Sequence, residues 1–250
     1  MNTLKDNIFV KPAEKAAFIS DIMEIFSPCG CALCGETLTG ANEAYDGLCS
    51  ECKDLFNIDL SDRCGDCGKP LISERLRCRQ CKKEGGNAFN RTVVLYPYVG
   101  VFQQVIIAFK FKMHTQLAPF FAEKLVEAAP LLDVPEGAQW VPVPPRYDKL
   151  KEKGWDQVEL IARHMETMRT EREFEVARIL SRLASRSQKK LSGDERYKNL
   201  SGKIVVNRPP AKNVVIFDDV FTTGATISTC AEALKAAGAE NIWGVCLFYD

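Results

Sequence analysis

Two groups of residues in this sequence have the types and spacing for chemistry. The first lies near the C-terminal end, where residues Val214 to Thr226 read VVIFDDVFTTGAT. The four leading apolar residues suit a strand buried on both faces of a sheet, and the carboxyl end of such a strand is where open α/β sheets hold ligands. Asp218 and Asp219 follow at once. Ionised carboxylates only accept hydrogen bonds, so an adjacent pair suits neighbouring hydroxyls of a sugar such as ribose. The next residues, Thr222, Thr223, Gly224, Ala225 and Thr226, add hydroxyls and, at Gly224, room for close backbone approach. A helix beginning there turns N–H groups and a positive dipole end toward a phosphate. Together these fit a sugar 5-phosphate. Asp and Thr also end strands and cap helices without binding anything, but the full thirteen-residue order, with the apolar run before it and the helix after it, argues for a ligand.

The second group is the cysteines. Nine of the eleven fall between Cys29 and Cys81, and eight of these form CxxC pairs: Cys31 with Cys34, Cys49 with Cys52, Cys64 with Cys67, and Cys78 with Cys81. Two residues between thiolates let one tight turn present both sulfurs to a tetrahedral ion, and Gly35 and Gly68 stand where that turn needs them. Taken in order, the pairs predict two four-thiolate zinc sites; an interleaved arrangement of the first pair with the third is compatible with the same spacing. Cys29 either replaces Cys31 as a ligand or is a free neighbour. Buried free thiols and redox pairs are the competing readings, and four pairs in about fifty residues fit them poorly. Full thiolate coordination leaves no open position for water or substrate, so the zinc is expected to be structural. The segment is poor in large apolar residues and would fold around the metal. Residues 1–90 hold 11 basic and 14 acidic residues, so this part offers no net positive surface to nucleic acid, and a structural or protein-contact role is expected.

The elements that must position these groups follow from the hydrophobic pattern. Residues 1–28 predict a lead-in helix with Ala16, Ile19, Met23 and Phe26 on one face, residues 29–90 a double zinc ribbon, and residues 91–250 a larger α/β domain beyond a polar stretch containing Gly85 and Gly86. In the larger part, extended segments at Thr92 to Val99, Gln139 to Val143, Ile204 to Asn207, Val214 to Phe217 and Ile242 to Phe248 alternate with helical ones at Phe102 to Met113, Gln116 to Ala129, Trp155 to Arg169 and Ile227 to Ala237, the last stopped by Gly238. Such alternation predicts a mostly parallel sheet flanked by helices. The 33 basic residues cancel the 33 acidic ones, which gives no hint of a polyanionic partner. No apolar run reaches the roughly 18 residues needed to span a bilayer, and the N-terminus lacks the apolar core of a secretory signal. A cytoplasmic protein, whose thiols stay reduced or metal-bound, is expected.

At this point a resemblance becomes specific. The thirteen-residue string is similar to the phosphoribosyl-diphosphate signature of type I phosphoribosyltransferases. The order of blocks resembles the ComF/GntX family over nearly the whole chain: cysteine pairs in front, VPVPPRYDKLKEKGWDQ from Val141 to Gln157, SQKKLSGDERYKNLSG from Ser187 to Gly202, and the signature last. The second block departs from the family's usual Arg-Gly-Phe-Asn-Gln, having Lys153, Gly154, Trp155, Asp156 and Gln157; the third keeps Gln188, Leu191, Arg196, Asn199 and Leu200.

The resemblance implies the type I phosphoribosyltransferase fold with a small zinc-ribbon module in front. It implies that Asp218 and Asp219 grip the ribose 2- and 3-hydroxyls, that Thr222, Thr223, Gly224, Ala225 and Thr226 enclose the 5-phosphate, and that magnesium bridges substrate oxygens. A nucleophile would displace pyrophosphate at the anomeric carbon, so catalysis would rest on positioning and on neutralising the leaving group. Val141 to Arg146 becomes the pyrophosphate loop, with Arg146 and either Lys149 or Lys151 facing the leaving group; solvated side chains are the alternative there. The basic stretch from Ser185 to Lys203 serves as a loop closing over the diphosphate or as a surface helix. His114 and His164 read as ordinary histidines. The signature implies phosphoribosyl diphosphate as ligand, and the family's association with DNA uptake and competence makes DNA-processing proteins or single-stranded DNA candidate partners. No segment names the acceptor. A non-catalytic ligand sensor that acts through its zinc module is the alternative function.

Overall fold

The computed structural model describes residues 30–73, 75–84, 88–168, 174–183 and 202–250. The expected lead-in helix, Cys29, the Gly85–Gly86 pair and residues 185–201 of the basic stretch lie outside them. In the larger part, strands β1 (Arg91–Pro97), β2 (Gln139–Pro142), β3 (Glu175–Val176), β6 (Asn213–Phe221) and β7 (Asn241–Tyr249) form one sheet in the order β1-β7-β6-β2-β3. Every neighbouring pair in it is parallel. A separate antiparallel pair joins β4 (Leu180–Arg182) to β5 (Ile204–Val206). The expected α/β architecture is therefore present, but the 204–207 segment serves this small ribbon and not the main sheet.

Alternation along the strands splits the core in two. Val215, Phe217, Val245, Leu247 and Trp140 pack on one face of the sheet, whereas Val214, Ile216, Val141, Ile242 and Cys246 pack on the other. The first face is covered by α4 (Gly100–Phe111), α5 (Ala118–Glu127) and α7 (Gln157–Thr167), the last two packed against each other. In α7 the buried residues Val158, Ile161, Ala162 and Met165 recur at helical spacing and make a single apolar stripe. The second face is covered by α8 (Ala225–Ala236) through Ile227, Cys230, Ala231 and Leu234. No helix among the described residues is long and apolar enough to cross a membrane.

Two local signals refine the expected boundaries. A short helix, α6 (Tyr147–Lys153), follows β2 and stops at Gly154, whose φ of 75° few side chains tolerate. Trp155 therefore precedes the next helix and does not open it. Asp156 caps α7, its carboxylate accepting from the N–H groups of Val158 and Glu159 at 3.0 and 3.1 Å. Strand β6 also runs on through the aspartates to Phe221, because β7 stays paired with it as far as Tyr249.

The cysteine-bearing part includes the short helices α1 (Ala41–Asp46), α2 (Ser50–Asp54) and α3 (Arg79–Glu84). It straddles the β1 edge of the sheet. Cys31, Cys49, Cys52, Leu48 and Phe56 join the core of the α4, α5 and α7 face; Cys64, Cys67 and Cys81 join that of the α8 face. Phe56 meets Tyr96, Phe102 and Phe120 edge-on, with ring centroids 4.9 to 5.2 Å apart. Between the two contacts the module satisfies the otherwise open strand edge. Thr92 N–H donates to Asp66 O at 2.9 Å, and the Arg63 guanidinium donates to Val94 O and Leu95 O at 3.2 and 3.4 Å. Gly68 makes this approach possible: at φ 71°, a Cβ there would lie 2.4 Å from Thr92 O and 2.8 Å from Val93 Cα. Gly68→Ala is expected to destabilise the protein by about 2 kcal/mol or more, read as a lower denaturant midpoint.

Candidate functional site: a carboxylate pair, a helix-start loop and two cysteine clusters

The structure resolves which cysteine pairs combine. Cys31, Cys34, Cys49 and Cys52 form one cluster and Cys64, Cys67, Cys78 and Cys81 another, the sulfurs of each set lying within 4.8 Å of one another. The interleaved arrangement is excluded. Cys34 and Cys49 Sγ atoms are 3.7 Å apart, and those of Cys67 and Cys78 are 3.8 Å apart. These separations are far beyond a disulfide bond of about 2.05 Å. They match the roughly 3.8 Å edge of a tetrahedron with Zn–S bonds near 2.3 Å. Burial works against ionisation in both clusters. Main-chain N–H groups of Cys34, Cys49 and Leu33 nevertheless hold the Cys31 thiol down at about 7, and those of Cys67, Cys78 and Asp66 do the same for Cys64. Both donor sets can hold zinc.

At the other site, β2 ends where Pro142 pairs with Phe217, so the next residues of β6 overhang their neighbour on that side. Those residues are Asp218 and Asp219. Face alternation slips by one position here: Val215, Phe217 and Val220 touch one core, while Ile216 and Phe221 touch the other. Asp219 lies within electrostatic reach of Asp218. Asp219 N–H donates to Asp218 Oδ1 at 2.8 Å. Burial first, and the charge of Asp219 second, raise the Asp218 pKa to about 8. Without a ligand, Asp218 therefore resists ionisation.

The loop beyond folds tightly. Gly224 precedes α8 with φ 76°, and a Cβ there would fall 2.7 Å from the Phe221 ring, so only glycine fits. Thr223 Oγ1 accepts from Ala225 N–H at 3.4 Å, and Ser228 N–H donates to Gly224 O at 2.9 Å, closing the first helical turn. Thr222 and Thr226 are half-buried, Thr223 is exposed, and Gly224 and Ala225 are buried. The first N–H groups of α8 have no partner within the helix, which is what an anion needs at a helix start.

Three residues that sequence reasoning passed over lie against this edge. Lys110, from the last turn of α4, forms an ion pair with Asp219 Oδ2 at 2.7 Å. Asp156, besides capping α7, is raised in pKa chiefly by burial and in part by the Asp219 charge, so it belongs to the same acidic group. Lys69, beside the second cysteine cluster, donates to Thr222 O at 3.1 Å. The only sequence signal for Lys110 is a cation interrupting the apolar run IIAFKF, and Lys69 has none. Arg146 stands exposed at the N-cap of α6, just past β2, and Lys151 is exposed in the same helix. Lys153 is turned elsewhere: it donates to Lys110 O at 2.9 Å and lies 4.6 Å from the Phe111 ring centroid. His114 shares a hydrogen bond with Gln116, and His164 packs edge-on against Tyr45 with a pKa lowered by burial.

No family profile matches the chain. Individual proteins do. Competence protein F of Haemophilus influenzae is 26% identical over 219 residues, covering 81% of this chain and 91% of that protein. Competence protein ComFC of Streptococcus pneumoniae is 26% identical over 225 residues, covering 85% and 96%. DNA utilization protein YhgH of Escherichia coli is 24% identical over 209 residues, covering 80% and 90%. Similarity of this extent to competence proteins, joined to two four-cysteine clusters that fit a double zinc ribbon, supports the resemblance to the ComF family.

Proposed function

We propose that this chain binds phosphoribosyl diphosphate, which arrives with magnesium, and transfers the phosphoribosyl group to an acceptor in the setting of competence and DNA utilization that its relatives' names carry. One observation carries the reading: two adjacent carboxyl groups, Asp218 and Asp219, lie near the carboxyl end of a buried parallel strand that leads through a glycine-bearing loop into the start of α8. Residues 29–90 form the zinc-ribbon module in this reading and residues 91–250 a domain of the type I phosphoribosyltransferase kind, with residues 1–28 leading in.

The 2- and 3-hydroxyls of ribose donate to Asp218 and Asp219, and the Thr222 to Thr226 loop surrounds the 5-phosphate. Asp156, Asp218 and Asp219 make an oxygen-rich, acidic edge of the kind a hard divalent cation prefers. The cation's contribution is to offset charge on the diphosphate. Lys110 keeps Asp219 paired while the site is empty and shares it with the diol when the ligand enters. Arg146 faces the leaving diphosphate, and loss of that group leaves an oxocarbenium-like centre that Asp218 and Asp219 stabilise from the ribose side.

The second reading, a sensor that binds without turnover, draws support from Arg146, which is exposed at the N-cap of α6. A pyrophosphate-release assay with magnesium, phosphoribosyl diphosphate and a panel of nucleobases and amines separates the two. Transfer requires release with at least one acceptor, whereas a sensor gives calorimetric binding alone. The Asp218→Asn, Asp219→Asn double variant is expected to lose at least about a hundredfold in affinity, two charge-assisted acceptors being removed. Undiminished binding by that variant would sink both readings.

A further inference from the structure

Lys69 connects the cysteine module to the loop at the start of α8. Its main chain closes the turn around the second cluster: Lys69 O accepts from Cys64 N–H at 2.9 Å, and Gly68 N–H donates to Cys64 O at 3.0 Å. Its side chain reaches across the sheet edge. Nζ donates to Thr222 O at 3.1 Å and to the main-chain oxygen of Asp250, and it stands 5.9 Å from the Phe221 ring centroid. Asp250 N–H in turn donates to Phe221 O at 3.1 Å, so both peptide oxygens that flank the loop's entry are engaged.

A trans peptide is planar, and its C=O and N–H point in opposite directions. With the Thr222 carbonyl drawn toward Lys69, the N–H of Thr223 must point away from the cysteine module. On the other side, Gly224 lies so close to the Phe221 ring that the loop cannot swing inward past it. The lysine and the ring together leave the 222–223 peptide one orientation.

We infer that Lys69 is a positioning residue for the phosphate end of the site: it fixes the Thr222–Thr223 peptide so that its N–H faces a bound phosphate, which makes the cysteine module a working part of ligand recognition. This rests on the reading that the loop holds a ribose 5-phosphate, and it extends that reading to a residue 153 positions away in sequence.

The test compares wild type, Lys69→Met and Lys69→Arg by calorimetric titration with ribose 5-phosphate and, separately, with magnesium pyrophosphate, which engages the other end of the site. Zinc content and melting temperature are measured on each protein. Lys69→Met is expected to bind ribose 5-phosphate about tenfold more weakly, the scale of one misaligned charged-group hydrogen bond. Its pyrophosphate affinity should not change, and Lys69→Arg should recover most of the loss. If Lys69→Met sheds zinc, Lys69→Gln, which keeps an N–H donor, takes its place and is expected to show the same selective loss in smaller measure. Equal weakening of both ligands, or none, overturns the role of Lys69 while leaving the functional reading intact. Wild-type protein that binds neither ligand overturns the functional reading and this inference with it.

Discussion

Replacing Asp218 by Asn is expected to raise the melting temperature of the ligand-free protein, with a gain that widens as pH rises from about 5 to about 8. The cause is the cost of keeping a carboxylate where burial and the Asp219 charge both oppose it, which lifts its pKa from 3.8 to about 8. Each unit of such a shift corresponds to about 1.4 kcal/mol between the two protonation states. The sign follows from proton counting. Between about pH 4 and pH 8 the folded protein retains a proton at Asp218 that the unfolded chain gives up, so stability falls as pH rises through this window. Asn holds no ionisable proton and escapes that slope. For a chain of this size each kcal/mol moves the melting temperature by roughly 2 to 4 °C, so even a fraction of that shift is worth several degrees at pH 8.

Lys110 limits the penalty in the native protein, since its ammonium is paired with Asp219 and lowers the pKa of Asp218. A site that is costly to keep empty and loses its ligand when the cost is removed is the signature of a carboxylate retained for binding. Melting curves of wild type and Asp218→Asn across the pH range decide the matter. Parallel pH profiles would mean that the carboxyl is not held protonated, and a variant destabilised at every pH would mean that the carboxylate makes a stabilising contact.

Metal removal is expected to have the second large effect. Purified protein should carry about two zinc ions per chain, and chelation should lower the melting temperature of the whole chain and not of the cysteine module alone. Structural zinc supplies roughly 10 kcal/mol or more of apparent binding energy to sites of this type. The described part of the module adds few large buried apolar side chains of its own, with Leu38, Leu48, Phe56 and Phe89 the main ones. Loss of the metal would also withdraw Phe56 from the cluster of Tyr96, Phe102 and Phe120. It would further strip β1 of the partners that Asp66 and Arg63 provide along its edge. Cys49→Ser and Cys78→Ser separate the two clusters, since the first acts on the α5 face and the second on the α8 face. A metal-free protein with unchanged melting and unchanged circular dichroism would refute the structural role.

Local spacing made much of this legible before any coordinates. A CxxC pair needs only its own turn to bring two sulfurs together, and a strand, an acidic pair and a helix start separated by a few residues must remain neighbours however the rest of the chain folds. The parallel α/β architecture followed for the same reason, because each strand and helix carries its own period.

What the sequence by itself determined, then, was the chemistry available: eight thiols in pairs, two adjacent carboxylates and a glycine-bearing loop. Tertiary structure alone decided how they are combined. It joined the first cysteine pair to the second and the third to the fourth, set the two clusters on opposite faces of one sheet edge, and brought Lys110, Asp156 and Lys69 to the aspartates and their loop. The physical reason is that a lysine in a helix or turn has the same local pattern whether it faces water or a buried carboxylate. The pKa of Asp218 depends on atoms brought from far along the chain, and no spacing within β6 could have reported it.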